Sequence, residues 1–193
     1  AATLELPSRL EAAGAEVNEV EIGWGDEVLQ AYRDHAAMIM GAWMQPYLES
    51  SRDLLTPYAI ACAESVYDVT PADFVRSMEV ETEMWNELAP IMGAHDVLIC
   101  PTTGVPSVPL DFDPAGPDIE IDGRSVAADY GWMLTYPFNM LSALPVLNIP
   151  SGTAGSGVPI GAQLVGRPFD DHSLFSVGAL VEQLSPTIGT FAR

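Results

Sequence analysis

Three short apolar runs, each bounded by proline, glycine or other turn residues, punctuate the second half of the sequence. They occupy residues 96–101, 145–150 and 160–166. Runs of roughly four to eight apolar residues between turn formers are typical of strands in a buried sheet. All three are far shorter than the roughly 18 apolar residues that a membrane-spanning helix requires. The sequence therefore predicts a sheet and no bilayer span.

Helical periodicity dominates the region before the first of these runs. Apolar residues recur near helical spacing across residues 26–67, and Pro46 is predicted to interrupt that pattern. A new helix is then predicted after Thr70, because a threonine cap followed by Pro71 and then by Asp73 at the third helical position is a favourable start.

Shorter elements are predicted elsewhere in the chain. Residues 8–14 resemble the end of a helix closed by a glycine, and residues 15–22 alternate as an edge strand would. Two further helices are predicted, one over residues 129–141 and one over residues 171–184 with Asp171 as its cap.

The Asp-Gly pair at positions 122 and 123 predicts a hairpin over residues 119–126. Together these elements predict an α/β fold with a mixed β-sheet flanked by helices. At 193 residues the chain is long enough for one substantial core, so residues 1–193 are expected to form a single unit.

The charge of the chain excludes some partners. Acidic residues number 27 against seven basic ones, the formal net charge is −20, and all seven basic residues are arginines. Such a surface repels phosphate backbones and anionic headgroups, so neither nucleic acid nor a membrane is expected as a partner. An acid-rich, lysine-free composition also reflects habitat or codon bias.

The thiol and imidazole groups are scattered. Cys62 and Cys100 both lie in apolar surroundings and are expected to be free thiols, which favours a cytoplasmic protein. His35, His95 and His172 are far apart in sequence and have no acidic or thiol partner at ligand spacing. No metal and no cofactor are therefore expected.

Three collinear segments carry a family resemblance. Residues 96–103 read DVLICPTT, residues 135–152 read TYPFNMLSALPVLNIPSG, and residues 158–178 read VPIGAQLVGRPFDDHSLFSVG. Together they resemble the C-terminal half of amidase-signature hydrolases, including the strand that ends in Pro101 and Thr102. The resemblance implies the C-terminal part of that fold and extends over nearly the whole chain.

The resemblance also implies what this chain lacks. The family's nucleophilic serine, second serine and lysine base belong to its N-terminal half. A serine hydroxyl needs a nearby base to take its proton, and arginine stays protonated. Because the chain contains no lysine, it is expected to hold no catalytic residue and to depend on the N-terminal half of the same enzyme as its partner, with a homodimer possible.

The resemblance places the wall of a substrate pocket in this half. The candidate substrate-binding residues are Thr102, Thr103, Trp132, Thr135 and Asn139. Amidotransferase members carry an aspartate where Trp132 stands, so a small-molecule apolar or aryl amide is expected. Trp132 as core packing and Asn139 as a helix-end polar group remain open alternatives.

Two other functions compete with a pocket-bearing part of an amidase that hydrolyses carboxamide C–N bonds. One is a non-catalytic binding or regulatory module derived from the same fold. The other is an acyl hydrolase with a Ser-His-Asp set assembled from this chain alone, which the absence of a nucleophile-elbow motif disfavours.

Overall fold

A computed structural model describes residues 5–184. The α-helices are α1 (Glu5–Ala12), α2 (Asp26–Ala36), α3 (Ala42–Ser51), α4 (Pro57–Glu64), α5 (Pro71–Ala94), α6 (Tyr136–Met140) and α7 (Asp171–Leu184). The strands are β1 (Val97–Pro101), β2 (Ile119–Ile121), β3 (Arg124–Val126), β4 (Val146–Thr153) and β5 (Pro159–Gly166). A π-helical turn, Ala37–Gly41, joins α2 to α3, and 3-10 turns follow α3 and α4 at Arg52–Leu54 and Ser65–Asp68.

The main sheet has three strands in the order β1-β5-β4. Both neighbours run antiparallel to β5, and the register places Cys100, Gln163 and Asn148 in one row across the sheet. The pairing of β4 with β5 shifts between Pro150 and Gly152. The predicted α/β fold with helices flanking a sheet is confirmed, and every strand pair in the described residues is antiparallel.

The sheet separates two apolar cores, because alternate residues of each strand face opposite sides. On one side, α1 and α7 cover a cluster made of Leu6, Leu10, Ile149, Ala162, Leu164, Leu174 and Val181. On the other side, α2, α5 and α6 contribute to a larger cluster whose members include Val28, Met84, Leu88, Met92, Phe138 and Val165. None of the described helices is both long and apolar enough to cross a bilayer.

Local signals predicted three boundaries correctly. At the end of α1, Gly14 has φ +95° and the Ala15 N–H donates to the Leu10 carbonyl, the pattern of a glycine-closed helix. Thr70 and Asp73 form a reciprocal capping box at the start of α5. The β2–β3 hairpin turns on Asp122 and Gly123, both at positive φ, as an Asp-Gly turn requires.

Two predicted elements are wrong. Residues 15–22 form no strand, because this segment passes from one core to the other: Val17 packs against the α1–α7 cluster, whereas Val20 and Ile22 pack against the larger one. The predicted helix over residues 129–141 is reduced to α6. The first half of the predicted segment instead pairs with the chain after β1, through a bridge between Met133 and Thr103.

Three element boundaries in the structure differ from the predicted ones. Pro46 lies inside α3 and does not interrupt it; the helix ends after Ser51. The cap of α7 is Asp170, whose carboxylate accepts the Ser173 N–H at 3.2 Å, and not Asp171, the first helical residue. Strand β4 continues to Thr153, beyond its predicted end at residue 150, because pairing with β5 resumes after the register shift.

Candidate functional site

A pocket of about 270 Å³ lies where β1 ends. Its lining comprises Thr102, Thr103, Trp132, Met133, Thr135, Val146, Asn148 and Gln163. Four of the five candidate binding residues therefore surround one cavity.

The chain after β1 holds one wall of this pocket in place. The Leu134 N–H donates to the Thr102 carbonyl at 2.9 Å, and the Gly104 N–H donates to the Trp132 carbonyl at 2.8 Å. These backbone bonds tie residues 102–104 to residues 132–134 as a short irregular ladder. The side chains of Thr102 and Trp132 are thereby placed around one opening although 30 residues separate them in sequence.

Gln163 forms the floor of the pocket on the central strand. Its side chain is 1% exposed, and Nε2 donates to the Leu134 carbonyl at 2.7 Å and to the Pro101 carbonyl at 3.0 Å. One buried amide thus joins β5 to both segments of the pocket wall. Its Oε1 is buried and accepts no hydrogen bond from the described residues.

Trp132 presents its ring to the pocket and its polar group elsewhere. The indole N–H donates to the Ala128 carbonyl at 3.0 Å, and the ring meets Phe112 edge to face with centroids 5.9 Å apart. Because the N–H already has a partner, the indole contributes apolar and aromatic surface to the cavity.

The threonines have distinct bonding states. Thr103 Oγ1 donates to the Val105 carbonyl at 2.7 Å, and Thr102 Oγ1 donates to the Gly161 carbonyl at 3.3 Å. Each hydroxyl keeps lone pairs that can accept a bond from a ligand. Thr135 stands at the start of α6 without a side-chain capping bond, so that helix does not use its hydroxyl.

Asn139 lies apart from the other four candidates. It is exposed on α6 and does not line the pocket. Burial raises the pKa of the Tyr32 hydroxyl on α2, and the Asn139 side chain partly offsets that rise, so Asn139 faces Tyr32. The structure brings together Thr102, Thr103, Trp132 and Thr135 but not Asn139.

Four lining residues are absent from the set predicted by sequence: Met133, Val146, Asn148 and Gln163. Met133 lies between two predicted residues and could have been inferred from them. Asn148 and Gln163 are polar residues inside otherwise apolar strand runs, which is a detectable signal. The strand register that brings them together is a long-range property and has no such signal.

Among residues 5–184, the pocket lining offers no group that could activate a nucleophile. Every lining residue in that range is uncharged, and no histidine, carboxylate or lysine is among them. Cys100, the neighbour of Gln163 across the sheet, is kept neutral because burial raises the pKa of its thiol to about 12. Within the described residues no three histidine, cysteine or acidic side chains are grouped to hold a metal ion.

The three histidines lie elsewhere in the fold. His95 contacts the Ile91 carbonyl at 2.8 Å, and His35 stacks near Phe74 with ring centroids 5.6 Å apart. His172 lies in the first turn of α7. An antiparallel sheet, flanking helices and a pocket whose described lining residues are uncharged thus define this α/β unit.

The chain belongs to the amidase family, since the amidase family profile matches residues 1–175. It is similar to an acylamidase from Rhodococcus erythropolis, with 26% identity over 196 aligned residues that cover 96% of this chain and 39% of that protein. A fatty acid amide hydrolase from Medicago truncatula is 27% identical over 181 residues, which cover 90% of this chain and 28% of that protein.

Solved structures share the fold. A bacterial aryl acylamidase of the amidase signature enzymes superposes with a TM-score of 0.81 at 22% identity, covering 96% of this chain and 40% of that chain. A 6-aminohexanoate cyclic dimer hydrolase superposes with a TM-score of 0.71 at 20% identity, covering 96% of this chain and 41% of that chain. The chain thus spans about two fifths of the length of these amidases and corresponds to part of a longer amidase.

Proposed function

We propose that this chain forms the substrate-pocket part of an amidase that hydrolyses carboxamide C–N bonds. The nucleophilic serine, the second serine and the lysine base are supplied by polypeptide outside these 193 residues. The observation that carries the proposal is the pocket at the end of β1, whose described lining residues offer hydroxyl, amide and aromatic groups but no proton acceptor of catalytic strength.

The chemistry of amide hydrolysis explains this division. A hydroxyl nucleophile attacks the carbonyl carbon only when a base within hydrogen-bond reach takes its proton. Thr102 and Thr103 instead donate their hydroxyl protons to carbonyl oxygens, which are not bases of that kind. These residues suit the binding and orientation of a substrate whose reaction is driven from the opposite wall.

The pocket supports an apolar or aryl amide as the substrate class. Trp132, Met133 and Val146 supply apolar surface, and the uncharged lining gives a substrate carboxylate or ammonium no ionic partner. A charge placed there would lose hydration without compensation. The similarity of the chain to an acylamidase and to an aryl acylamidase agrees with this substrate class.

Hydrolysis of 4-nitroacetanilide tests the proposal. The purified 193-residue chain is expected to release no nitroaniline, whereas a longer protein that contains this chain together with the serine and lysine residues is expected to be active. In that longer protein, Trp132→Ala is expected to lower kcat/KM up to about tenfold, because an aromatic contact contributes about 0.5–1.5 kcal/mol beyond the burial of its area.

The matched control is Trp43→Ala, since Trp43 is 68% exposed and does not line the pocket. Its kcat/KM is expected to stay at the wild-type value. Turnover by the isolated chain, or equal losses in the two tryptophan variants, would overturn the proposal. A longer protein that binds anilides at this pocket without cleaving them would support the alternative, a non-catalytic binding module.

A further inference from the structure

A second and larger cavity is lined by residues 127–130, just before Trp132 in the chain, together with parts of α2 and α4. Its volume is about 390 Å³, within the range of small-molecule sites. Helices α2 and α4, the loop before β2 and residues 127–130 form its walls. Its described lining residues are all different from those of the pocket at the end of β1.

Small side chains create the space inside this cavity. Ala37 after α2, Ala61 on α4 and Ala115 in the loop belong to three different elements, and Ala127 and Ala128 add to the same lining. Methyl groups on several elements leave room for a ligand's hydrocarbon part, and burial of that part supplies favourable free energy. The alanines determine the shape of the cavity, whereas the polar groups at its rim determine which class of ligand it can bind.

The charged groups at the rim have an excess of acid. Arg33 donates to both carboxylate oxygens of Asp129 at 2.7 Å, so this guanidinium is already paired in a bidentate geometry. Asp118 also lines the cavity, where its carboxylate accepts a hydrogen bond from Ser125 Oγ at 3.0 Å. Two carboxylates against one guanidinium leave the lining with a net negative charge.

Aromatic groups complete the rim. The hydroxyls of Tyr58 and Tyr130 lie 3.2 Å apart, and the Tyr130 ring meets Tyr32 edge to face at 5.0 Å. Tyrosine faces attract cations through their quadrupole. The net charge of −20 on the whole chain adds a field that concentrates cations and repels anions.

We propose that this cavity binds a small organic amine in its ammonium form, with the hydrocarbon part among the alanines and the ammonium group beside Asp118 and the tyrosines. The apolar interior, the acid excess and the aromatic rim favour the same ligand class. An anion is disfavoured because Arg33 is committed to Asp129. This site is distinct from the proposed amide pocket and does not depend on its activity.

Three probes of matched shape test the proposal on the 193-residue chain: 2-phenylethylamine, 2-phenylethanol and 3-phenylpropionate. Dissociation constants measured by titration NMR at pH 7 and low salt are expected to be lowest for the amine. The carboxylate is expected to bind at least about tenfold more weakly, consistent with a like-charge contact near the surface. Asp118→Asn is expected to weaken amine binding about threefold and to leave the alcohol unchanged.

Cavity-filling variants separate this site from general attraction to an acidic surface. Ala61→Phe on α4 and Ala115→Phe in the loop before β2 each add a large side chain to the cavity lining. Both positions are exposed, so both variants are expected to fold and to abolish amine binding. Ala179→Phe, on the exposed face of α7 and outside the cavity, is the matched control and should bind as wild type.

Each result bears on the proposal. Loss of amine binding in both filled variants, with native circular dichroism spectra, supports the site. Equal affinity for amine and carboxylate, or amine binding that persists in Ala61→Phe and Ala115→Phe, overturns it. Preferential binding of the neutral alcohol overturns the assignment of an ammonium ligand.

Discussion

Replacement of Gln163 by methionine removes the amide that joins β5 to the pocket wall while keeping the side chain's length. The wild-type Nε2 donates to the Leu134 carbonyl at 2.7 Å and to the Pro101 carbonyl at 3.0 Å. Each bond contributes about 1 kcal/mol net, and a carbonyl left buried without a partner costs about 1–3 kcal/mol more. Methionine also removes the buried, unpartnered Oε1, which offsets part of that cost.

These opposing effects give an expected loss of about 2 kcal/mol in the free energy of unfolding. Urea titration followed by circular dichroism measures it, provided that the slope of free energy against urea stays at the wild-type value. The matched control is Gln30→Met: Gln30 is exposed and bonds Asp34 on the same helix, so a change of less than about 0.5 kcal/mol is expected.

The Gln163→Glu variant tests the same role by the pH dependence of its free energy of unfolding. A buried carboxylate beside two carbonyl oxygens has a raised pKa, because both burial and the carbonyl dipoles disfavour its charge. The folded variant is therefore more stable below the unfolded glutamate pKa of about 4.3 and loses that stability as the pH rises through the folded pKa. If Gln163→Met matches Gln30→Met, or if Gln163→Glu shows no such pH dependence, the bridging role of Gln163 is refuted.

Three further predictions concern stability and reactivity. Burial would raise the pKa of Asp129, but its bonds with Arg33 and the Tyr130 N–H hold the pKa below its usual value. The stabilisation that ionised Asp129 supplies is complete above the aspartate pKa of the unfolded state, about 3.9, and is lost as the pH falls through the lower pKa of the folded state. In Asp129→Asn the free energy of unfolding should therefore change less with pH in this acidic range. Thr70→Ala removes the capping box and should cost about 1 kcal/mol in urea unfolding. Cys62 should react with iodoacetamide at pH 8 much faster than Cys100, because burial raises the pKa of the Cys100 thiol to about 12. Peptide mass spectrometry at successive times measures how fast each cysteine is alkylated.

Matched variants control two of these predictions. Asp96→Asn removes an acid whose side chain is 79% exposed beside Arg167 and should leave acid unfolding unchanged. Thr82→Ala changes an exposed threonine within α5 and should cost less than Thr70→Ala. Indistinguishable results between a variant and its control, or faster alkylation of Cys100 than of Cys62, would contradict the structural reasoning.

Much of the secondary structure could be predicted because its causes are local. The runs that became β1 and β5 are bounded by residues that terminate strands, and Thr70 with Asp73 bonds within one helical turn. The Asp-Gly turn at Asp122 likewise depends on the backbone preferences of adjacent residues. Such features need no knowledge of distant contacts.

The wrong elements depended on contacts that the sequence does not display. Residues 15–22 alternate like a strand, but the segment crosses between the two cores and has no strand partner in the described sheet. In residues 129–141, the pairing of Met133 with Thr103 replaces helical bonds, and the helix begins only at Tyr136. In both cases tertiary contacts override local propensity.

The residues of the candidate site likewise fall into those that the sequence could predict and those that only tertiary contacts bring together. Thr102, Thr103, Trp132 and Thr135 could be identified from residue type and family resemblance alone. The sequence by itself also determined the amidase-type organisation of strands, the acidic surface and the absence of lysine, since these are properties of residue identity and order.

Only the tertiary structure decided which groups meet. Gln163 reaches the carbonyls of Pro101 and Leu134 across 62 and 29 residues, and Arg33 pairs with Asp129 across 96. Strand register and helix packing create these contacts, and both are set by the burial of whole apolar faces rather than by any local motif. For that reason Asn148, Gln163 and the second cavity are found only in the fold, whereas Thr102, Thr103, Trp132 and Thr135 could be found in the sequence.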